Sequence, residues 1–208
     1  MSTFIAGFPE LPPVSRSWPA PMDLPVDPPR FDLYAAIHKA LRCFMGDTLV
    51  QLGRMDPEDP LAVHRTLDQV EQLFAFCRQH VAHENEFVHP AIEAACAGDS
   101  RQIAREHVGH LAEIAALTVQ TATLRARPTP AAAHRLYREL ARFIGENLLH
   151  MDTEEVEHNG TLWAAYDDAE LAMIHGRLVA AIPADEMAIG LRWMQAALSP
   201  AELAAMQG

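Results

Sequence analysis

From Phe31 onward, apolar residues recur at spacings of three and four, the period of an amphipathic helix, and the alternation typical of strands is missing. Helix punctuation divides this stretch into four long segments. The first runs from about Asp32, a candidate N-cap, to Gly53. The second opens at Asp59-Pro60, a cap followed by proline at the first helical position, and continues to Gly98. The third opens at Asp99-Ser100 and ends before Pro128, and the fourth opens at Thr129-Pro130 and stops at Gly160. Helices of this length joined by short loops are expected to run antiparallel, so residues 31–160 predict an all-α, up-down-up-down four-helix bundle.

The two ends of the chain read differently. Residues 161–208 hold shorter helices, about 168–182 and 185–198, followed by a capping box at Ser199-Pro200-Ala201-Glu202. Their apolar positions, such as Leu171, Ile174 and Leu178 or Met187, Leu191 and Met194, need a partner surface, so this C-terminal extension is expected to pack on the bundle. Residues 1–30 predict an extended, polyproline-like arm, because eight of the fifteen prolines fall within residues 1–29. Phe4, Ile5, Phe8, Leu11 and Trp18 make that arm apolar enough to lie along the body, the alternative being a disordered leader.

Composition narrows the function by exclusion. Sixteen basic against 28 acidic residues give a net charge of -12, which disfavours a non-specific grip on nucleic acid or anionic membranes. The N-terminal stretch MSTFIAGFPELPP has no basic start, and its prolines interrupt any signal or spanning segment, so no export or membrane anchor is expected. Cys43, Cys77 and Cys96 form no C-x-x-C pair and are read as small hydrophobes in a reducing cytoplasm.

Histidine changes the picture. There are 11, against one lysine, and most sit at apolar-periodic positions. At about 100° per residue, His38 shares a face with Tyr34, Leu41 and Met45, and His80 one with Leu73 and Phe76. His107 and His110 flank the line of Ile103 and Ile114, while His150 continues the face of Leu136, Leu140 and Phe143. Glu84 and Glu154 each lie one turn beyond a histidine on these inner faces. Ionised carboxylates inside a bundle cost several kcal/mol unless paired or metal-bound. Two His-x-x-x-Glu units with further inward histidines are therefore what a buried binuclear metal centre requires, and a thiolate-free N/O donor set favours iron. Summed helix rise sets His38 and His80 roughly 10 to 20 Å from the level of His107, His110 and His150.

At these residues the chain resembles the hemerythrin-like, or HHE cation-binding, family. The resemblance runs through His38, His80-x-x-x-Glu84, His107 and His150-x-x-x-Glu154, one element per helix, with flanks HENEFVHP, EHVGH and HMDTEEVEHNGTLW. It covers about residues 31–208 and is similar to bacterial members with a C-terminal helical extension. The resemblance implies two non-haem iron ions bridged by Glu84 and Glu154, with the histidines as terminal ligands, and a small diatomic or peroxide ligand such as O2, nitric oxide or peroxide. The family's oxygen carriers have His-x-x-x-His on the third helix, whereas here His107 is followed by His110 at i+3, which leaves His110 either a direct ligand or a hydrogen-bonding neighbour.

The remaining candidates are weighed on the same wheel. His83, His158 and Tyr34 are read as second-sphere residues, Tyr34 also as a pocket wall, and His89 points about 180° from His80 toward solvent. His64, His134 and His175 need only surface or packing roles. Glu86-x-x-His89 and Glu155-x-x-His158 mimic the paired motifs of ferritin-like proteins, but Glu86 and His89 face away from the inner stripe. Three functions stay open: reversible binding or sensing of a small molecule, a di-iron oxidase or peroxidase, and a metal-stabilised helical module whose tail, with Trp193 and Met194, docks a partner.

Overall fold

A computed structural model describes residues 30–206. The expected N-terminal arm, apart from Arg30, lies outside the described residues. Those residues are all-α, with no strand among them. Helix α1 spans Ala35–Arg54, α2 Pro60–His83, α3 His89–Ala95, α4 Arg101–Ala126 and α5 Pro130–Thr153. Four shorter ones follow: α6 Asn159–Ala165, α7 Asp168–Ala181, α8 Ala184–Ala197 and α9 Pro200–Ala205. Two single π-helical turns, Glu84–Val88 and Glu154–His158, join α2 to α3 and α5 to α6. The second predicted helix is thus α2, a π turn and α3 in succession, and it ends at Ala95 rather than Gly98.

The helix starts follow from local chemistry. Asp59 accepts from the Leu61 N–H at 2.9 Å and Thr129 from the Ala132 N–H at 3.2 Å, each ahead of a proline whose missing N–H would have had no helical partner. Asp32 accepts from the Tyr34 and Ala35 N–H groups at 2.8 and 2.9 Å, so it caps α1 from just outside the helix. Between α3 and α4, Gly98 takes φ +101°, a left-handed conformation that suits glycine, and the Glu93 carboxylate ties that turn by accepting from Gly98 and Ser100.

Helix α1 packs on α2 and α5, and α4 packs on the same two, so the four long helices close into a ring. One apolar cluster lies inside this ring, and a second is built from the residue before α1, the first π turn, α3, α6 and α7. The larger includes Leu41, Phe44, Leu67, Phe74, Leu136 and Phe143, and the smaller consists of Tyr34, Val88, Ile92, Leu162, Leu171 and Ile174. On α1, α2 and α5 the chain passes from one cluster to the other through His38, His80 to Glu84, and His150 to Glu154. The polar residues are therefore held in a layer between two dry ones.

The C-terminal helices complete the packing. Helix α8 lies along α1 and touches α2, with Trp193 stacked on Phe44 at 4.2 Å between ring centroids and 15° between planes. Trp193 is buried and Met194 packs at the edge of the larger cluster, which removes from the surface the face that partner docking through this tail would use. Helix α7 covers the first π turn, and the Lys39 ammonium pairs with Glu202 of α9. Among the described residues no helix is long and apolar enough to cross a membrane.

Candidate metal centre

Six of the residues singled out in the sequence converge in the polar layer. His38, His80, Glu84 and Glu154 form one group, and Glu84, His107, His150 and Glu154 a second; within each, one ligand atom per residue lies within 4.8 Å of all the others. Both carboxylates belong to both groups. His80 Nε2 is 3.2 Å from Glu84 Oε1, His150 Nε2 is 3.3 Å from Glu154 Oε1, and His107 Nε2 is 3.1 Å from His150 Nε2. His38 Nε2 stands 3.7 Å from Glu84 Oε1 and 3.5 Å from Glu154 Oε2, while His107 Nε2 stands 3.4 Å from Glu84 Oε2 and 3.6 Å from Glu154 Oε1. Ligand atoms about 2.1 Å from one ion and about 90 to 110° apart are separated by roughly 3.0 to 3.4 Å, so the observed spacings approximate the edges of two coordination shells.

The polar bookkeeping points the same way. Glu84 and Glu154 are 2% and 0% exposed. Neither carboxylate has a hydrogen-bond partner on either oxygen, and Nε2 of His38 and of His80 is likewise unpartnered. Such atoms are costly to bury unless something they can bind sits among them. The donor set fits metal ions, and these buried groups can hold them.

Charge is balanced within the layer. Burial pushes the Glu84 and Glu154 carboxyls up, and the two glutamates repel each other, but the surrounding histidines outweigh both effects and hold each carboxyl below its ordinary range. Burial would neutralise His38 and His107, yet contacts with Glu155, Glu84 and Glu154 around the first, and with Glu154 and Glu84 around the second, raise both to about 9. His80, held chiefly by desolvation, falls to about 4.

Three residues that sequence reasoning did not assign support the ligands from behind. His38 Nδ1 is 2.9 Å from Glu155 Oε1, His107 Nδ1 is 2.9 Å from Asn85 Oδ1, and His150 Nδ1 is 2.8 Å from Glu106 Oε2. An Nδ1–H donated to these oxygens leaves the Nε2 lone pair for a metal. Glu155 is itself held by Arg42 Nη1 at 2.6 Å. Each supporting residue is the sequence neighbour of a site residue, the one signal that could have marked them.

No protein-family model, curated protein or solved structure matches the chain. The site therefore rests on its own geometry.

That geometry corrects two expectations. His89 does not face solvent: it is 6% exposed and its ring stacks on His107, with centroids 5.0 Å apart and planes 5° apart. The π turn admits one extra residue, so every position after Val88 lags a regular wheel by about 100°, which swings His89 inward. Nor are the histidines split along the axis, because His38 and His107 approach the same two carboxylates. Summed rise took no account of how the loops and π turns slide the helices past one another.

The other candidates fall around this centre. His110 is buried against His150 and Phe143 with Nδ1 unpartnered, but it belongs to neither four-residue group. His83 turns toward α8, where its Nδ1 is 3.4 Å from Glu186 Oε1. Tyr34 Oη meets His158 Nδ1 at 3.1 Å. A cavity of about 10 Å³, close to the room one water needs, adjoins the centre between Leu41, Met45, Cys77, His80, His110 and Met151. His110 and His150 also line a surface groove together with Glu106, Glu113 and Glu146.

Proposed function

We propose that this chain is a hemerythrin-like non-haem di-iron protein, its four long helices forming an up-down-up-down bundle, that binds O2 or a related small molecule for sensing or storage. The observation carrying this reading is that two four-residue His/Glu groups share both Glu84 and Glu154. His38 and His80 would hold one ion, His107 and His150 the other, and the two glutamates would bridge them. Bound iron would supply reversible redox chemistry and an open coordination position.

The chain's own part is positioning and shielding. Glu155, Asn85 and Glu106 fix three imidazoles with Nε2 turned inward. The apolar clusters on either side keep bulk water out, which strengthens every charge interaction inside. The small cavity beside His80 and His150, with His110 as its polar wall, is the size of one water and would have to widen to admit a diatomic molecule.

Anaerobic purification with iron, metal counting and optical spectra during O2 cycling test this reading. Two irons per chain and reversible bands are expected, whereas fewer than two metals, or zinc retained over iron, would overturn it. The surface groove that His150 lines favours a second reading, a di-iron oxidase or peroxidase. Sustained consumption of O2 or peroxide with a reductant would select it.

A further inference from the structure

One turn beyond the bridging glutamates, on the side away from His80 and His150, lies another set of buried donors. His89, His158 and Glu154 each present a ligand atom within 4.8 Å of the other two. They are 6%, 2% and 0% exposed, and Nε2 of both histidines has no hydrogen-bond partner. Both π turns are needed to bring them together, since His89 follows the first and His158 closes the second. Packing holds the rings in place: His89 stacks on His107 and meets His158 edge-on, with centroids 5.6 Å apart and planes 87° apart.

We propose that His89, His158 and Glu154 form a third cation position, distinct from the pair, that takes a first-row divalent ion such as Fe2+. Two imidazoles and one carboxylate on three sides of an ion are the donor set that suits ferrous iron and leaves other positions open. Tyr34 acts as a positioning residue. When His158 Nδ1–H donates to Tyr34 Oη, 3.1 Å away, Nε2 keeps its lone pair for the ion. The inference rests on Glu154 also serving the pair. Because the third ion shares that glutamate and brings no carboxylate of its own, it binds more weakly than the first two.

Anaerobic titration of the metal-free full chain with Fe2+, and with Co2+ as a spectroscopic probe, tests this. The wild-type chain is expected to take two tight equivalents and one weaker. His89→Gln and His158→Gln, checked for folding by circular dichroism, are each expected to abolish the weaker equivalent and keep the tight two. Tyr34→Phe, which keeps the ring in the core, is expected to weaken the third equivalent about tenfold. A wild-type chain with two tight equivalents and no third would overturn this inference alone. So would loss of a tight equivalent in a folded His89→Gln or His158→Gln chain, which would assign those histidines to the pair. Fewer than two tight equivalents in the wild type would instead overturn the paired-centre reading as well.

Discussion

Asn85 and Glu155 are counterparts: each directly follows a shared glutamate, and each holds, at 2.9 Å, the Nδ1 of a histidine reaching in from another helix. One is neutral and the other charged. His38 thus has a negative charge behind its imidazole that His107 lacks, while on the His107 side Glu106 supplies such a charge behind His150.

Removing that charge should weaken one half selectively. Glu155→Gln is expected to lower metal affinity at the His38 side by about 10- to 100-fold, the usual effect of losing such a partner. Asn85→Asp, which places a charge behind His107, should strengthen the other side. Stepwise metal titration reads both, and equal loss at both positions in Glu155→Gln would contradict the assignment.

Metal binding should release protons. In the metal-free chain His38 and His107 are raised to about 9, so at neutral pH both are protonated and must lose a proton to ligate. Affinity therefore rises as pH climbs toward 9 and falls as pH drops, by up to about tenfold per displaced proton per pH unit. Calorimetry at pH 7.5 in buffers of different ionisation enthalpy is expected to show the protons of His38 and His107 released, with a further contribution from His150, which its glutamate partners also raise.

Stripping the metal should lower thermal stability. An ion present at 100 times its Kd stabilises by about 2.7 kcal/mol, so two contribute about 5 kcal/mol, and at about 2 to 4 °C per kcal/mol loaded and chelated protein should differ in Tm by roughly 10 to 20 °C. Superimposable melts would show that the polar layer holds no ion.

How far the sequence could be read depends on where the helices stay regular. The wheel brought His38, His80, Glu84, His107, His150 and Glu154 onto inner faces because each lies within, or at the end of, an unbroken α-helix. It failed at His89, where the π turn shifts the phase, and pattern alone carries no mark of that extra residue. The supporting roles of Asn85, Glu106 and Glu155 were hidden for another reason. They sit toward the outer edge of their own helices and become functional only where a neighbouring helix brings a histidine against them.

The docking of α8 offers a separate test. Trp193→Ala is expected to cost about 3 kcal/mol in urea unfolding, since it empties a buried stack on Phe44. Metal content should be unchanged, because Trp193 belongs to the larger apolar cluster and not to the polar layer.

The two π turns carry a cost that regular helix does not. The i→i+5 bonding of a π turn is rare and does not propagate beyond a single turn, so the regular helix is interrupted where Glu84 and Glu154 begin their turns. What keeps these turns wound is the set of donors they aim inward. In the absence of ions that restraint is expected to slacken, so the amides of Val88, His89, His158 and Asn159 should exchange with solvent deuterium faster than in the loaded chain. Exchange rates along a few residues of backbone would then report the occupancy of the buried layer without any view of the metal itself.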